Sequence, residues 1–186
     1  LYPSQVIGIA LHVGNTFARP LPPNSSNKYL TDFRTQWGEE IDSYFEVSSV
    51  GLPKGMINRK DEEPKSKDDW GNVVSEIINN SPLFDIEISA SPFVFGNCDI
   101  EVIVKALENV DGEYNIVIAI TEDSIVDWQK NGTYDDSVYV HNHVLRAIIN
   151  STWGENLKSS NNYTANEEIN LSYNISISSL EQFNIN

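Results

Sequence analysis

The sequence predicts an α+β chain, in which a β-α-β-α part is followed by an antiparallel β-sandwich. Three observations predict it: an apolar run of strand length at residues 5–13, two stretches of apolar residues at helical spacing before residue 80, and a change to period two after Pro82. With 40% apolar and 10% aromatic residues in 186, the chain can bury a real core.

Residues 5–13, Gln-Val-Ile-Gly-Ile-Ala-Leu-His-Val, read as a strand covered on both faces. A Pro- and Ser-rich loop follows. Leu30, Phe33, Trp37, Ile41, Tyr44 and Phe45 then mark an amphipathic helix over residues 30–45, with Thr31 or Asp32 as its cap. Residues 47–50 lead into Gly51-Leu52-Pro53-Lys54-Gly55-Met56-Ile57-Asn58-Arg59, a turn feeding a short strand. Residues 60–69 are charged and loop-like. Trp70, Val73, Val74, Ile77 and Ile78 make a second helix, with Ser66 or Asp68 as cap and Asn79-Asn80-Ser81-Pro82 as stop. A β-α-β-α unit needs a parallel sheet for its first strand, and two strands make a thin one.

Beyond Pro82 four runs alternate: Phe84 to Ala90, Cys98 to Val104, Tyr114 to Ile120, and Ile169 to Ile177. Each reads as a half-buried antiparallel strand with one wet face. Residues 128–154 supply either another strand or an irregular crossing. The domains expected are therefore residues 1–80 and 82–186, the first leaning on the second or completed by a second copy in a homodimer.

Twelve Lys and Arg stand against 27 Asp and Glu, a formal net charge of -15. Such a surface repels phosphate backbones and anionic lipid, which excludes nucleic-acid binding and polybasic membrane contact. Cys98 is the only cysteine, so an intrachain disulfide, a Cys-x-x-Cys pair and a thiolate cluster are all excluded for this sequence. No apolar run is long enough for a membrane span, and the abrupt start at Leu1-Tyr2-Pro3 reads as that of a fragment.

His141 and His143 lie two residues apart in Tyr139-Val140-His141-Asn142-His143-Val144-Leu145-Arg146. If extended, the segment presents both on one face, where they could share a ligand or metal with Asp135 or Asp136. Zinc takes at least three protein ligands, and spacing supplies no third, so the pair is expected to serve structure before chemistry. A Ser-His-Asp triad drawn through Ser124 lacks a nucleophile elbow and an oxyanion loop. Glu62-Glu63 and Asp68-Asp69 lack EF-hand spacing. No cofactor is expected. Arg146 is expected to pair with a carboxylate. Trp128, Tyr134, Tyr139 and Trp153 are either packing residues or an aromatic platform for sugar or peptide.

With Gly51-Leu52-Pro53-Lys54-Gly55-x-x-Asn58-Arg59 in the first half, and the histidine segment with Trp153-Gly154 in the second, the chain resembles the twenty-eight-kilodalton outer-membrane lipoproteins of Porphyromonas and other Bacteroidetes. The resemblance spans nearly the whole chain. It implies a partial thioredoxin-like α/β unit followed by an immunoglobulin-like sandwich, exported and lipid-anchored on the cell envelope, a surface antigen or adhesin. It also places Pro53 where thioredoxin folds carry a cis-proline. The expected function is a noncatalytic envelope module binding a protein or glycan at the cell surface. The alternative is a thiol-disulfide oxidoreductase whose Cys-x-x-Cys lies upstream. Pro53, Trp128, Tyr139, His141, His143, Arg146 and Trp153 are the residues marked for structure or partner contact.

Overall fold

A computed structural model of the chain describes residues 5–25, 27–59 and 63–176. It shows an α+β protein, mostly antiparallel sheet with two short helices. In chain order these are α1 (Gln36–Phe45), β1 (Lys54–Gly55), β2 (Lys65–Ser66), α2 (Trp70–Ile77), β3 (Phe84–Ala90), β4 (Asn97–Ala106), β5 (Val110–Asp111), β6 (Asn115–Ile116), β7 (Ala119–Glu122), β8 (Ile125–Asn131), β9 (Tyr134–His141), β10 (Val144–Ile148), β11 (Glu155–Asn156), β12 (Asn162–Tyr163) and β13 (Glu168–Ser176). Ile177 and Glu62, both marked in the sequence, lie outside the described residues.

Two compact units divide the chain: Leu1–Asn79 with Ile120–Ala147, and Asn80–Ala119 with Ile148–Asn186. The first boundary falls beside Pro82. The excursion Ile120–Ala147 clusters with the first unit, whereas the split expected at residue 80 assigned it to the second.

In the first unit α1 is shorter than its apolar spacing suggests. Asp32 accepts from the Arg34 backbone N–H at 3.0 Å and holds the guanidinium at 2.8–2.9 Å, so the chain turns there and neither Thr31 nor Asp32 caps the helix. Thr35 does, its hydroxyl oxygen accepting from Gly38 N–H at 3.1 Å. Glu46, left-handed at φ 52°, ends the helix, and buried Asp42 accepts from both the backbone N–H and the hydroxyl of Ser48 at 2.7 Å each. The α2 helix starts at Trp70 without a side-chain cap, although Ser66 and Asp68 were candidates. The Trp70 indole instead donates to the Lys65 carbonyl at 3.0 Å, seating the ring against Gly55. The Leu52–Pro53 bond is cis, and Pro53 is exposed.

Residues 5–13 are not the doubly covered strand their composition predicts. They make two isolated parallel bridges, Ala10 to Val144 and His12 to Arg34. Before Ala10 no strand pairs with them among the described residues, and Ile7 is 92% exposed. Parallel pairing is present at two points only among the described residues, the first of them on β10, which pairs with β7.

In the second unit, β4 is the middle of a three-stranded sheet, β13-β4-β3, antiparallel throughout. Cys98, Ile100, Val102, Val104 and Ala106 alternate inward and are buried, with Val110, Ile116, Ile118, Leu157 and Tyr163 completing the core. Each buried Val, Ile or Leu among them contributes roughly 1.5–3 kcal/mol. Phe84, Tyr114 and Tyr163 pack edge to face with centroids 5.0–5.8 Å apart. Short ribbons β12–β5 and β11–β6 continue the unit. The run Tyr114 to Ile120, expected as one strand, is split into β6 and β7. The Asn150 amide replaces the ladder between them, donating to the Ile116 carbonyl at 2.8 Å and accepting from Ile118 N–H at 3.1 Å.

Candidate functional site

The histidine segment lies in the first unit. Strands β8 and β9 form a hairpin in which Ile125 opposes His141 and Asn131 opposes Tyr134, with a register shift between Asp127 and Gln129. The chain then turns: Asn142 Oδ1 accepts from Ser124 N–H at 2.9 Å, and Asp123 accepts from His143 N–H at 2.5 Å. His143 is left-handed, φ 58°.

That turn overturns the shared face expected for the two imidazoles. Period two holds only while the backbone stays extended, and a left-handed residue breaks it. His141 ends β9 with only 5% of its surface exposed. His143 points to solvent, its Nδ1 3.0 Å from Asp123, while its backbone carbonyl accepts from Ala10 N–H at 2.7 Å.

His141 joins a cluster whose other members carry no motif. Its ring lies 5.6 Å from that of His12 and 4.9 Å from Phe33, with His12 5.1 Å from Phe33. Tyr139 closes one side edge-on at 4.7 Å. Buried Arg146 sets its guanidinium carbon 6.0 Å from the Phe33 ring centre, and its Nε lies 3.2 Å from Glu122 Oε2. Those two atoms are close enough for an ion pair but are not aligned for a hydrogen bond. His12 Nδ1 and His141 Nε2 are likewise buried without a hydrogen-bond partner among the described residues.

The electrostatics follow from this crowding. Burial first, then the charges of His141 and Arg146, push the His12 pKa down from 6.5 to about 4, against a smaller opposing pull from Asp32. Burial also lowers His141, opposed by a backbone hydrogen bond with Trp128 and by Asp127. Burial works against the Arg146 charge, and Glu122 works for it. Around neutral pH His12 is therefore an uncharged ring against the Arg146 cation. So weak a base is mismatched to general-base chemistry there.

Asp135 and Asp136, candidates to complete a metal site, are engaged elsewhere. Asp135 accepts from the Tyr29 hydroxyl at 2.5 Å, Lys28 at 2.9 Å and Lys130 at 3.2 Å, which together hold its carboxyl well below the usual range. Asp136 accepts from Val138 N–H. Lys28 also sits 4.9 Å over the Trp128 ring, and Tyr29 stacks obliquely on it at 6.2 Å. Among the described residues no group of three or more His, Cys, Asp or Glu side chains is placed to hold a metal ion.

Of the marked residues, the structure gathers His141 and Arg146 around Phe33, sets Tyr139 against His141, and joins the Trp128 backbone to His141. Pro53 lies in the exposed turn before β1, and Trp153, 41% exposed, belongs to the second unit. His12, Phe33, Glu122 and the pair Lys28–Tyr29 were not marked. His12 left one signal, a polar ring inside an otherwise apolar run.

No helix among the described residues is long and apolar enough to cross a membrane. No curated protein matches the chain, and no solved structure does. A family model described as Outer membrane protein Omp28 matches residues 39–185, across both units. The chain belongs to the Omp28 family of outer membrane proteins.

Proposed function

We propose that the chain is a noncatalytic, surface-presented module of a lipid-anchored outer-membrane protein, which binds a protein or glycan partner through the β8–β9 hairpin. The observation that carries this reading is the hairpin's asymmetry. On one face His141 is buried in the imidazole cluster with a half-exposed Tyr139 edge-on to it, while on the other Val126 and Val140, paired across the two strands, stand exposed, and Val138 stands exposed at the register shift. Val138 is 71% exposed. Apolar side chains held in register and open to water suit an interaction face. Trp128 with Lys28 and Asp135 adds an aromatic ring flanked by both charges, a combination that suits sugars and polar peptides.

On this reading the first unit, with its two helices and its parallel bridges at Ala10 and His12, is a partial thioredoxin-like unit, and the second, with β4 central to an antiparallel sheet over an apolar core, is an immunoglobulin-like sandwich.

The test is binding of the purified chain to a panel of glycans, matrix proteins and envelope proteins, with Val138→Ser/Val140→Ser as the matched variant. Loss of at least tenfold in affinity in the variant supports the hairpin. A panel with no binder removes the adhesin reading.

The parallel bridges also favour a second reading, a thiol-disulfide oxidoreductase whose dithiol lies outside this sequence. A Cys-x-x-Cys in the parent gene upstream of Leu1, and reduction of insulin disulfides by the full-length protein, would support it. Absence of the motif would remove it.

A further inference from the structure

Strand β3 is an edge of the second unit's sheet, and it carries few of the devices that usually blunt edges. It runs seven residues, Phe84-Asp85-Ile86-Glu87-Ile88-Ser89-Ala90, without a register shift against β4, without proline and without lysine. The direction of its free backbone groups is fixed by two bonds just outside the strand. Leu107 N–H donates to the Leu83 carbonyl at 2.9 Å, and Ser91 N–H donates to the Asp99 carbonyl at 2.8 Å. In an antiparallel ladder hydrogen-bonded residues alternate, so Asp85, Glu87 and Ser89 face their backbone groups toward β4. Phe84, Ile86, Ile88 and Ala90 therefore turn theirs outward, where no described strand pairs with them.

Two of these side chains are largely uncovered as well. Ile86 and Ile88 lie beside Val104 and Val102 on the core face, yet each is 59% exposed. The β3–β4 loop extends that apolar edge with Phe93, Val94 and a fully exposed Phe95. On the opposite face Asp85 and Glu87 are exposed and make no ion pair among the described residues. Asp99 and Glu101 lie behind them on β4, held by neutral donors from Asn174 and Ser172. Lys105 is the basic residue opposite Asp85.

We propose that β3 accepts an extended segment of a partner in which apolar and Lys or Arg side chains alternate, added to the sheet as a further strand. Its backbone would meet the free groups of Ile86 and Ile88, its apolar side chains would cover those two isoleucines, and its cations would lie against Asp85 and Glu87. The edge selects against a second copy. An antiparallel β3–β3 pairing about a two-fold brings Asp85 and Glu87 onto one face beside their own copies, and like charges there oppose pairing. This site is separate from the hairpin of the first unit.

The probes are blocked seven-residue peptides of alternating valine and lysine, and of alternating valine and glutamate, added to the full chain. The lysine peptide is expected to slow amide exchange of Ile86 and Ile88 at least tenfold and to lose affinity with added salt, while the glutamate peptide does neither. Asp85→Lys/Glu87→Lys reverses the preference. Ile88→Pro abolishes binding while β3 stays paired to β4, because that N–H faces away from β4. Equal binding of both peptides, or protection confined to other strands, overturns the proposal. So does dimerisation of the free chain that Ile88→Pro removes, since the occupant is then a second copy. A panel partner that binds Ile88→Pro unchanged, with no lysine-peptide binding, overturns the edge and leaves the hairpin reading standing.

Discussion

Acid should loosen the first unit well above the pH at which carboxylates titrate, and His12 is the reason. Its pKa is 6.5 when unfolded and about 4 in the fold. Between those values the unfolded chain binds more protons than the folded one, so stability is intact above pH 6.5 and is lost as pH falls toward 4. The window corresponds to about 3 kcal/mol at 1.36 kcal/mol per pH unit, or about 2 kcal/mol once partial exposure of the residue is allowed for. His141, lowered for the same reason, adds in the same direction. Arg146 disfavours a second cation, while Asp32 and Glu122 are the acids facing the group. Urea unfolding followed by tryptophan fluorescence reports mainly this unit, since Trp37, Trp70 and Trp128 lie in it and only Trp153 does not. Wild type should lose about 2 kcal/mol more than His12→Phe between roughly pH 6.5 and 4.5. Equal losses in the two proteins, or a His12 imidazole that titrates by NMR near its unperturbed value, would refute the reasoning.

Removing the Asp42 carboxylate leaves the Ser48 N–H and hydroxyl without their acceptor, so Asp42→Ala should lower the first unit's stability by about 3 kcal/mol in urea titration. Thr35→Ala should cost about 1 kcal/mol by the same assay, because it removes the cap on Gly38 N–H. Gly154 sits at φ +80°, and a Cβ there would lie 2.6 Å from the Ile116 carbonyl oxygen. Gly154→Ala should therefore destabilise the second unit by about 3 kcal/mol, seen as a lowered Tm with Trp153 as reporter.

The second unit was legible where burial is one-sided. Cys98 to Val104 and the run from Ile169 alternate because β4 and β13 have a wet face and a drier one, and the strands fall there, whereas Phe84 to Ala90 alternates and forms a strand that is exposed on both faces beyond Phe84. The Tyr114 to Ile120 run kept its period, but its continuity was decided by Asn150, some thirty residues away, which no local pattern reports. Residues 5–13 misled for the converse reason: composition records how apolar a segment is, not whether a neighbouring strand covers it. The histidine pair was found, but its geometry was not. A single left-handed residue, His143, separates the two rings, and the partners of His141 come from residues 12 and 33, far off in sequence. Residues 128–154 allowed either a strand or an irregular crossing, and the exposure of Val138 and Val140 became visible only with the hairpin.

The central place of β4 sets the order in which the second unit can assemble. Its pairing with β3 closes across residues 91–96, a connection available as soon as both strands exist. Its pairing with β13 closes across residues 107–167, a connection roughly ten times longer, which adds about 2 kcal/mol of chain entropy to ring closure. During synthesis and export the β3–β4 hairpin is thus an early, local event, and the far side of β4 waits for roughly sixty more residues. Until β13 arrives, Cys98 to Val104 present a second open edge, and any factor that shepherds this protein to the envelope has that strand to protect.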